Sequence, residues 1–362
     1  MSKNKLLDKL LKTGSTTGAS ILADSDMFGV KPLAVTDLPI LNIAFHGKLD
    51  GGVPPGITTA AGDSKTFKTA LALYCMKAYL DKYDDAIGII YDTEFGITPD
   101  YIKSFKIDPT RVIHIPVEHI EQLKFDFMKK LDSIERGDHV FFLVDSIGQI
   151  SSKKEVDDTS DEKSTVDMTR AKSLRSLLRL ATIQLSKKNL PCFLINHVYL
   201  TLELYQKVVI PGGTAVTYSS NQIFVITKSQ EKSSDGELDG WKFTINIHKS
   251  RNVKEKSKLP FVVKYDGGIQ KYSGLLDIAI DIGAVVKPSN GWFSRVDLAT
   301  GEIEPQKLRR AATDTAEFWD PLLNCPIFQR KIEEEFKLSG DLVTDADITA
   351  ELDTLEMDDL DD

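Results

Sequence analysis

Gly62-Asp63-Ser64-Lys65-Thr66-Phe67-Lys68-Thr69 follows the pattern G-x-x-x-x-G-K-[ST] at every anchoring position but one. In that pattern backbone N–H groups curl around a polyphosphate, the Lys reaches the outer phosphates and the following hydroxyl holds a magnesium ion. Gly62, Lys68 and Thr69 are in place, whereas Phe67 stands where the second glycine belongs. A bulky residue fits poorly at φ > 0. Either the loop avoids that conformation or the match is accidental.

Two carboxylates complete the chemistry such a loop would need. Asp145 ends the apolar run Val140-Phe141-Phe142-Leu143-Val144. A carboxylate in that place orients magnesium from across a phosphate site. The alternative is a simple turn cap, since Ser146 and Gly148 follow. Glu94 lies just beyond a second run, Ile87 to Asp92, at the strand end where open α/β sheets place their ligands. It could polarise a water for attack on a γ-phosphate, a role whose removal costs roughly 10²–10⁴-fold in rate. Its alternative is a solvated loop residue.

The elements around these residues must position them. Gly56 to Ala61 is small and partly β-branched, as a buried strand requires. Thr69 to Leu80 is rich in helix formers and free of Gly and Pro. Strand, turn and helix therefore follow in the order a phosphate loop demands. Val140–Asp145 predicts a central parallel strand buried on both faces.

The phosphate loop, Asp92-Thr93-Glu94 and Val144-Asp145-Ser146 together resemble the core of the RecA-type recombinases. Phe193-Leu194-Ile195-Asn196-His197, Gly212-Gly213-Thr214-Ala215 and Tyr265-Asp266-Gly267-Gly268-Ile269 extend the resemblance, in order, over roughly residues 35 to 290. Within that family the chain looks most similar to the UvsX-type recombinases of tailed bacteriophages. They share the Lys-Ser/Thr-Phe-Lys loop, Glu94-Phe95-Gly96-Ile97-Thr98-Pro99, Asp167-Met168-Thr169-Arg170-Ala171-Lys172 and Tyr272-Ser273-Gly274-Leu275-Leu276-Asp277.

The resemblance implies a RecA-like α/β ATPase core, with a mostly parallel sheet and helices on both faces. It implies ATP and Mg²⁺ as cofactors and DNA-dependent ATP hydrolysis as the activity. The expected function is homologous pairing and strand exchange by a helical filament on single-stranded DNA. Nucleotide-binding positions run from Gly62 through Asp63, Ser64, Lys65, Thr66 and Phe67 to Lys68 and Thr69, with Tyr101 and Tyr265 against the base. Thr69 and Asp145 hold the metal and Glu94 is the base. Lys249 and Arg251 reach the γ-phosphate of a neighbouring subunit, the physics of an arginine finger. His197 stands where cellular RecA has Gln, and couples the γ-phosphate to the second DNA loop.

Two polar stretches, Ser151 to Asp167 and Val198 to Tyr218, carry no core pattern. They are expected to be long functional loops, and they match the family's two DNA-binding loops. Arg170, Lys172, Tyr199, Lys207 and the Gly212-Gly213-Thr214 turn are the candidates for DNA contact, by phosphate charge, backbone donors or stacking. Arg175 and Arg179 continue the basic residues along the same helix, where a solvated face is the alternative.

The net charge of −9 is unevenly spread. Asp341 to Asp362 holds ten acids and neither Lys nor Arg, and leaving them out takes the balance from −9 to +1. A mobile acidic tail is expected over 345–362, able to compete with phosphates for basic surface. Leu6, Leu7, Leu10 and Leu11 form one helical face closed by Gly14. By resemblance, residues 1–33 are an oligomerisation segment that docks on a neighbouring copy. The core is expected over 34–290, with a small C-terminal region over 291–344.

Cys75, Cys192 and Cys325 show no metal spacing and are expected to be free thiols of a reducing compartment. No secretory leader or membrane span is expected, so the chain is placed in the cytoplasm (of a host cell, if viral). A recombination mediator and a single-strand-binding protein are partners implied by the family alone. A hexameric RecA-fold helicase and a non-hydrolysing DNA-binding mediator are the alternative functions.

Overall fold

The computed structural model describes residues 5–14, 19–25, 32–160, 168–200, 208–232, 238–265 and 268–338. Lys207 and the acidic tail lie outside these. By contacts the chain divides into residues 1–33 and 34–362. In the first unit a helix runs Lys5–Lys12, and Leu6, Leu7 and Leu10 on it are exposed.

The second unit is built on a nine-stranded sheet. Its strands are β1 (Gly56–Gly62), β2 (Ile87–Asp92), β3 (Val112–Pro116), β4 (Val140–Asp145), β5 (Pro191–Asn196), β6 (Gln222–Lys232), β7 (Leu238–Lys249), β8 (Lys258–Lys264) and β9 (Gly268–Ile269). Their spatial order is β9-β8-β7-β6-β1-β5-β4-β2-β3. The six strands from β3 to β6 pair in parallel, and β7, β8 and β9 add on antiparallel.

The period-2 alternation of a strand sorts the apolar runs into two layers. Phe141, Leu143, Phe193 and Ile195 face the core that contains Leu71, Cys75 and Met76 of helix α1 (Lys68–Lys82). Phe142, Val144, Cys192 and Leu194 face the opposite core, under helices α2 (Ile120–Ser133) and α3 (Thr169–Lys188). Helix α4 (Gly213–Ser219) packs on α3. Buried on both faces, the central strands are continuous hydrophobic runs, as parallel strands must be.

Three expectations change. A boundary after residue 290 would cut the hairpin formed by Val285–Ser289 and Trp292–Arg295. The helices Ala316–Leu323 and Pro326–Phe336 bury Phe318, Trp319, Phe328 and Ile332 in the same core as Leu41 and Phe45, so this region joins the main body. The stretch 151–167 is not all loop: Lys153–Ser160 is helical. Its start is a capping box, in which the Glu155 N–H donates to Ser152 Oγ (3.0 Å) and the Ser152 N–H to Glu155 Oε2 (3.4 Å). The stretch 198–218 also holds structure, with Tyr199–Leu200 paired to Val208–Val209 ahead of α4.

Both Cys75 and Cys192 are free and buried, and burial pushes both thiols up. No helix among the described residues is long and apolar enough to cross a membrane.

Candidate functional site

Gly62, Asp92, Asp145 and Asn196 close strands β1, β2, β4 and β5 at one edge of the sheet. The carboxyl ends of neighbouring parallel strands thus bring together residues far apart in sequence. A cavity of about 230 Å³ opens there, bounded by Ser64 to Ala70, Glu94, Tyr101, Asp145 and His197. The first backbone N–H groups of α1 belong to its wall and lack intrahelical partners, the arrangement that favours an anion.

The loop between β1 and α1 enters the left-handed region, which was not expected. Phe67 has φ +64° and Lys65 φ +59°. For an L-residue this conformation costs about 1–2 kcal/mol. Tertiary packing offsets it: the Phe67 ring is half-buried against Phe243 of β7, with centroids 5.2 Å apart, and Phe243 in turn stacks on Phe261. Such an aromatic pair contributes roughly 0.5–1.5 kcal/mol beyond its area burial. The loop keeps the glycine-type backbone and anchors it with a ring.

Lys68 is buried and its ammonium donates to the carbonyls of Gly62 (3.0 Å) and Asp63 (2.7 Å) and to Thr66 Oγ1 (3.2 Å). Burial pulls its pKa down, against the opposing pull of Asp145, Glu94 and Asp63. Thr69 Oγ1 donates to Asp145 Oδ2 at 2.6 Å. Burial pushes the Asp145 carboxyl up to about 6, aided by the charges of Glu94 and Asp92 and opposed by Thr69 and Lys68. A hydroxyl and a carboxylate in contact form an all-oxygen donor set, which suits a hard cation that keeps waters and phosphate oxygens as its other ligands.

Glu94 accepts from Ser146 Oγ (2.8 Å) and from His197 Nε2 (2.9 Å). Burial works to raise its pKa, but these two hydrogen bonds, with the His197 and Lys68 charges, hold it below the usual carboxylate range. Next to His197, Asn196 donates from Nδ2 to the Pro211 carbonyl (2.8 Å) while its Oδ1 accepts the His197 N–H (3.0 Å). Pro211 leads into the Gly212-Gly213 turn that starts α4. Gly212 has φ +88°, and a Cβ there would lie 2.6 Å from Val216 Cγ2, so a larger residue would be both strained and crowded.

The other expected residues divide between the cavity and the rest of the chain. Tyr101 lines the cavity and meets Phe105 edge-on at 5.2 Å. Tyr265, exposed beyond β8, does not line it. Lys249 ends β7 and donates to the carbonyls of Thr217 (2.6 Å) and Ser220 (2.7 Å) in its own chain, holding the end of α4, while Arg251 is exposed. Arg170, expected at DNA, turns its guanidinium onto the carbonyls of Ile147, Gly148 and Ile150 and fixes the turn after β4. Lys172, Tyr199 and Thr214 are exposed.

Sequence reasoning gave no role to Asp92, Thr93 or Ser146. Thr93 Oγ1 accepts the Ser146 N–H (2.9 Å) and donates to the Ser146 carbonyl (2.9 Å), joining the loops after β2 and β4. Lys228 of β6, also missed, stands 3.5 Å from the Ser64 carbonyl and over the Trp241 ring.

Residues 20–270 match the family model of the RecA N-terminal domain. Residues 272–332 match that of the C-terminal domain of the bacteriophage T4 recombination and repair protein. The chain is 43% identical to the recombination and repair protein of Enterobacteria phage T4 over 97% of its own length and 90% of that protein. It is 25% identical to protein RecA of Ruminococcus albus over 80% of its own length and 69% of that protein. With protein RecA of Aquifex aeolicus it shares 24% identity over 71% of its own length and 73% of that protein.

Proposed function

This chain belongs to the RecA family of recombinases, and we propose that it is a DNA-dependent ATPase that pairs and exchanges homologous DNA strands as a filament on single-stranded DNA. One observation carries the ATPase reading: Thr69, Asp145, Lys68 and Glu94 converge on one cavity at the carboxyl edge of the sheet.

Lys68 and the N–H groups of the loop bind the polyphosphate of ATP. Thr69 and Asp145 would hold Mg²⁺, which when bound screens the phosphate charge and orients the oxygens. Glu94 is ionised and points at the same space, so it accepts a proton from the attacking water. Ser146 and His197 fix its direction. A γ-phosphate competes for His197, and the Asn196–Pro211 hydrogen bond carries that displacement towards the Gly212-Gly213 turn.

DNA engagement falls to the surface between the two loops, with Lys172, Tyr199 and Thr214 as exposed candidates. Lys207 belongs to the same proposal and lies outside the described residues. Lys249 and Arg251 complete a neighbour's site. For Lys249 this requires release from the α4 carbonyls on assembly. The exposed leucines of Lys5–Lys12 support docking on a second copy. Cytoplasmic DNA metabolism, with a mediator and a single-strand-binding protein, is the setting the family suggests.

The test is a strand-exchange assay between a labelled duplex and homologous single strands. Exchange that requires ATP and homology supports the proposal. Unwinding of a forked duplex by closed rings would support a helicase, and annealing without nucleotide turnover would support a mediator.

A further inference from the structure

The most heavily hydrogen-bonded carboxylate near the site belongs to a residue with no assigned role. Asp92 is 1% exposed, and both its oxygens are engaged. Oδ1 accepts the backbone N–H groups of Glu94 (3.0 Å) and Phe95 (2.7 Å). Oδ2 accepts the Ile97 N–H (3.2 Å) and faces His114 Nε2 at 3.1 Å. Since an ionised carboxylate only accepts, Nε2 carries the proton and donates.

These bonds shape the turn that carries Glu94. The loop after β2 bends through Phe95 at φ +57°, an uncommon conformation for a non-glycine residue. Three of its N–H groups converge on one buried anion, which offsets the strain. The fourth partner comes from another element. His114 is the middle residue of β3, one of the two edge strands of the sheet, and its side chain remains 43% exposed. β3 is bound in register to β2, with Pro116 opposite Asp92.

We propose that Asp92 and His114 are positioning residues for the ATPase reaction: His114 fixes the Asp92 carboxylate, and Asp92 fixes the loop that aims Glu94 at the attacking water. The inference rests on the reading of Glu94 as the base. Neither residue lines the phosphate cavity, so His114 touches no nucleotide and acts through the Asp92 carboxylate and the loop that it holds. Because His114 stands on an edge strand of the sheet, the setting of the base is reachable from the surface.

The experiment measures single-stranded-DNA-stimulated ATP turnover for His114→Leu, His114→Gln, Glu94→Gln and the double variant Glu94→Gln/His114→Leu, with nucleotide affinity followed by fluorescence titration. His114→Leu should lower kcat by roughly 10–10²-fold, the upper figure being the cost of a 1 Å misplacement of a reacting group, and leave KM for ATP within about twofold. His114→Gln presents a donor at similar reach and should recover most of the rate. In the Glu94→Gln background His114→Leu should change nothing further. This last result separates positioning of Glu94 from general destabilisation. An unchanged kcat for His114→Leu, or an equal loss in both backgrounds, would overturn the positioning role alone. Wild-type turnover by Glu94→Gln would overturn the base assignment and the inference with it.

Discussion

His197 Nε2 stands 2.9 Å from Glu94 Oε1, so the residue after β5 restrains the carboxylate after β2. The adjacent Asn196 is bonded to Pro211, at the entrance to the Gly212-Gly213 turn. One pair of neighbours therefore joins the hydrolytic side of the cavity to the second loop. Replacing His197 by Ala should leave basal ATP turnover measurable but abolish its response to single-stranded DNA. Gln retains a side-chain donor and should preserve the response. Turnover against DNA concentration reads this directly, and equal stimulation of the Ala variant would remove His197 from the coupling.

The Phe67 ring predicts an order among variants that a flexible loop would not give. Phe67→Gly relieves about 1–2 kcal/mol of left-handed backbone cost while losing the ring contact. Phe67→Ala loses the contact and keeps the cost, so it should be the less stable in urea unfolding. Phe243→Ala should destabilise by about 3–5 kcal/mol, as Phe truncation in a core does. It should also weaken nucleotide binding, because Phe67 then lacks its support. Equal stability of Phe67→Gly and Phe67→Ala would contradict this account of the loop.

His46 predicts a pH dependence of stability. Burial, reinforced by the nearby Lys48 charge, pulls its imidazole down to about 4. Between 6.5 and 4 the unfolded chain takes up a proton that the native state refuses. The unfolded state binds more protons there, so stability falls as pH drops through this window and is indifferent to His46 above it. The full span amounts to about 3 kcal/mol at most. Urea unfolding at pH 7.5 and 5 should show a smaller loss for His46→Met than for wild type. An identical loss would show that His46 stays solvated or finds an acid partner.

Arg170 and Lys172 should separate in salt titrations of DNA binding. Lys172 is exposed, and its removal should reduce the salt slope by about one, as for a single phosphate contact. Arg170 holds three backbone carbonyls of the turn after β4. Arg170→Ala should lower stability and leave the slope near that of wild type. If Arg170→Ala instead lost a full unit of slope, its guanidinium would leave those carbonyls to meet DNA.

The parts legible in the sequence were those set by local pattern. Val140–Asp145 and Ile87–Asp92 are strands with the expected ends, because apolar runs closed by a carboxylate mark central strands. The helix after the phosphate loop runs Lys68–Lys82, a little beyond its expected span. What sequence could not show depended on distant partners. The backbone of Phe67 is decided by Phe243, on a strand from the other half of the chain. Arg170 and Lys249 have the residue type of a DNA or phosphate ligand, yet carbonyls of their own chain hold them. Asp92 was visible as a strand end, but its task required knowing which N–H groups fold back onto it. Lys153–Ser160 had one readable signal, Ser152 three residues before Glu155, within a segment otherwise without apolar pattern.

The most direct measurement is ATP turnover by wild type and Glu94→Gln, with and without single-stranded DNA, with the same samples imaged by electron microscopy. Wild type should show DNA-stimulated turnover and helical filaments. Glu94→Gln should keep the filaments and lose roughly 10²–10⁴-fold in turnover. Undiminished turnover by Glu94→Gln, or closed rings in place of filaments, would contradict it.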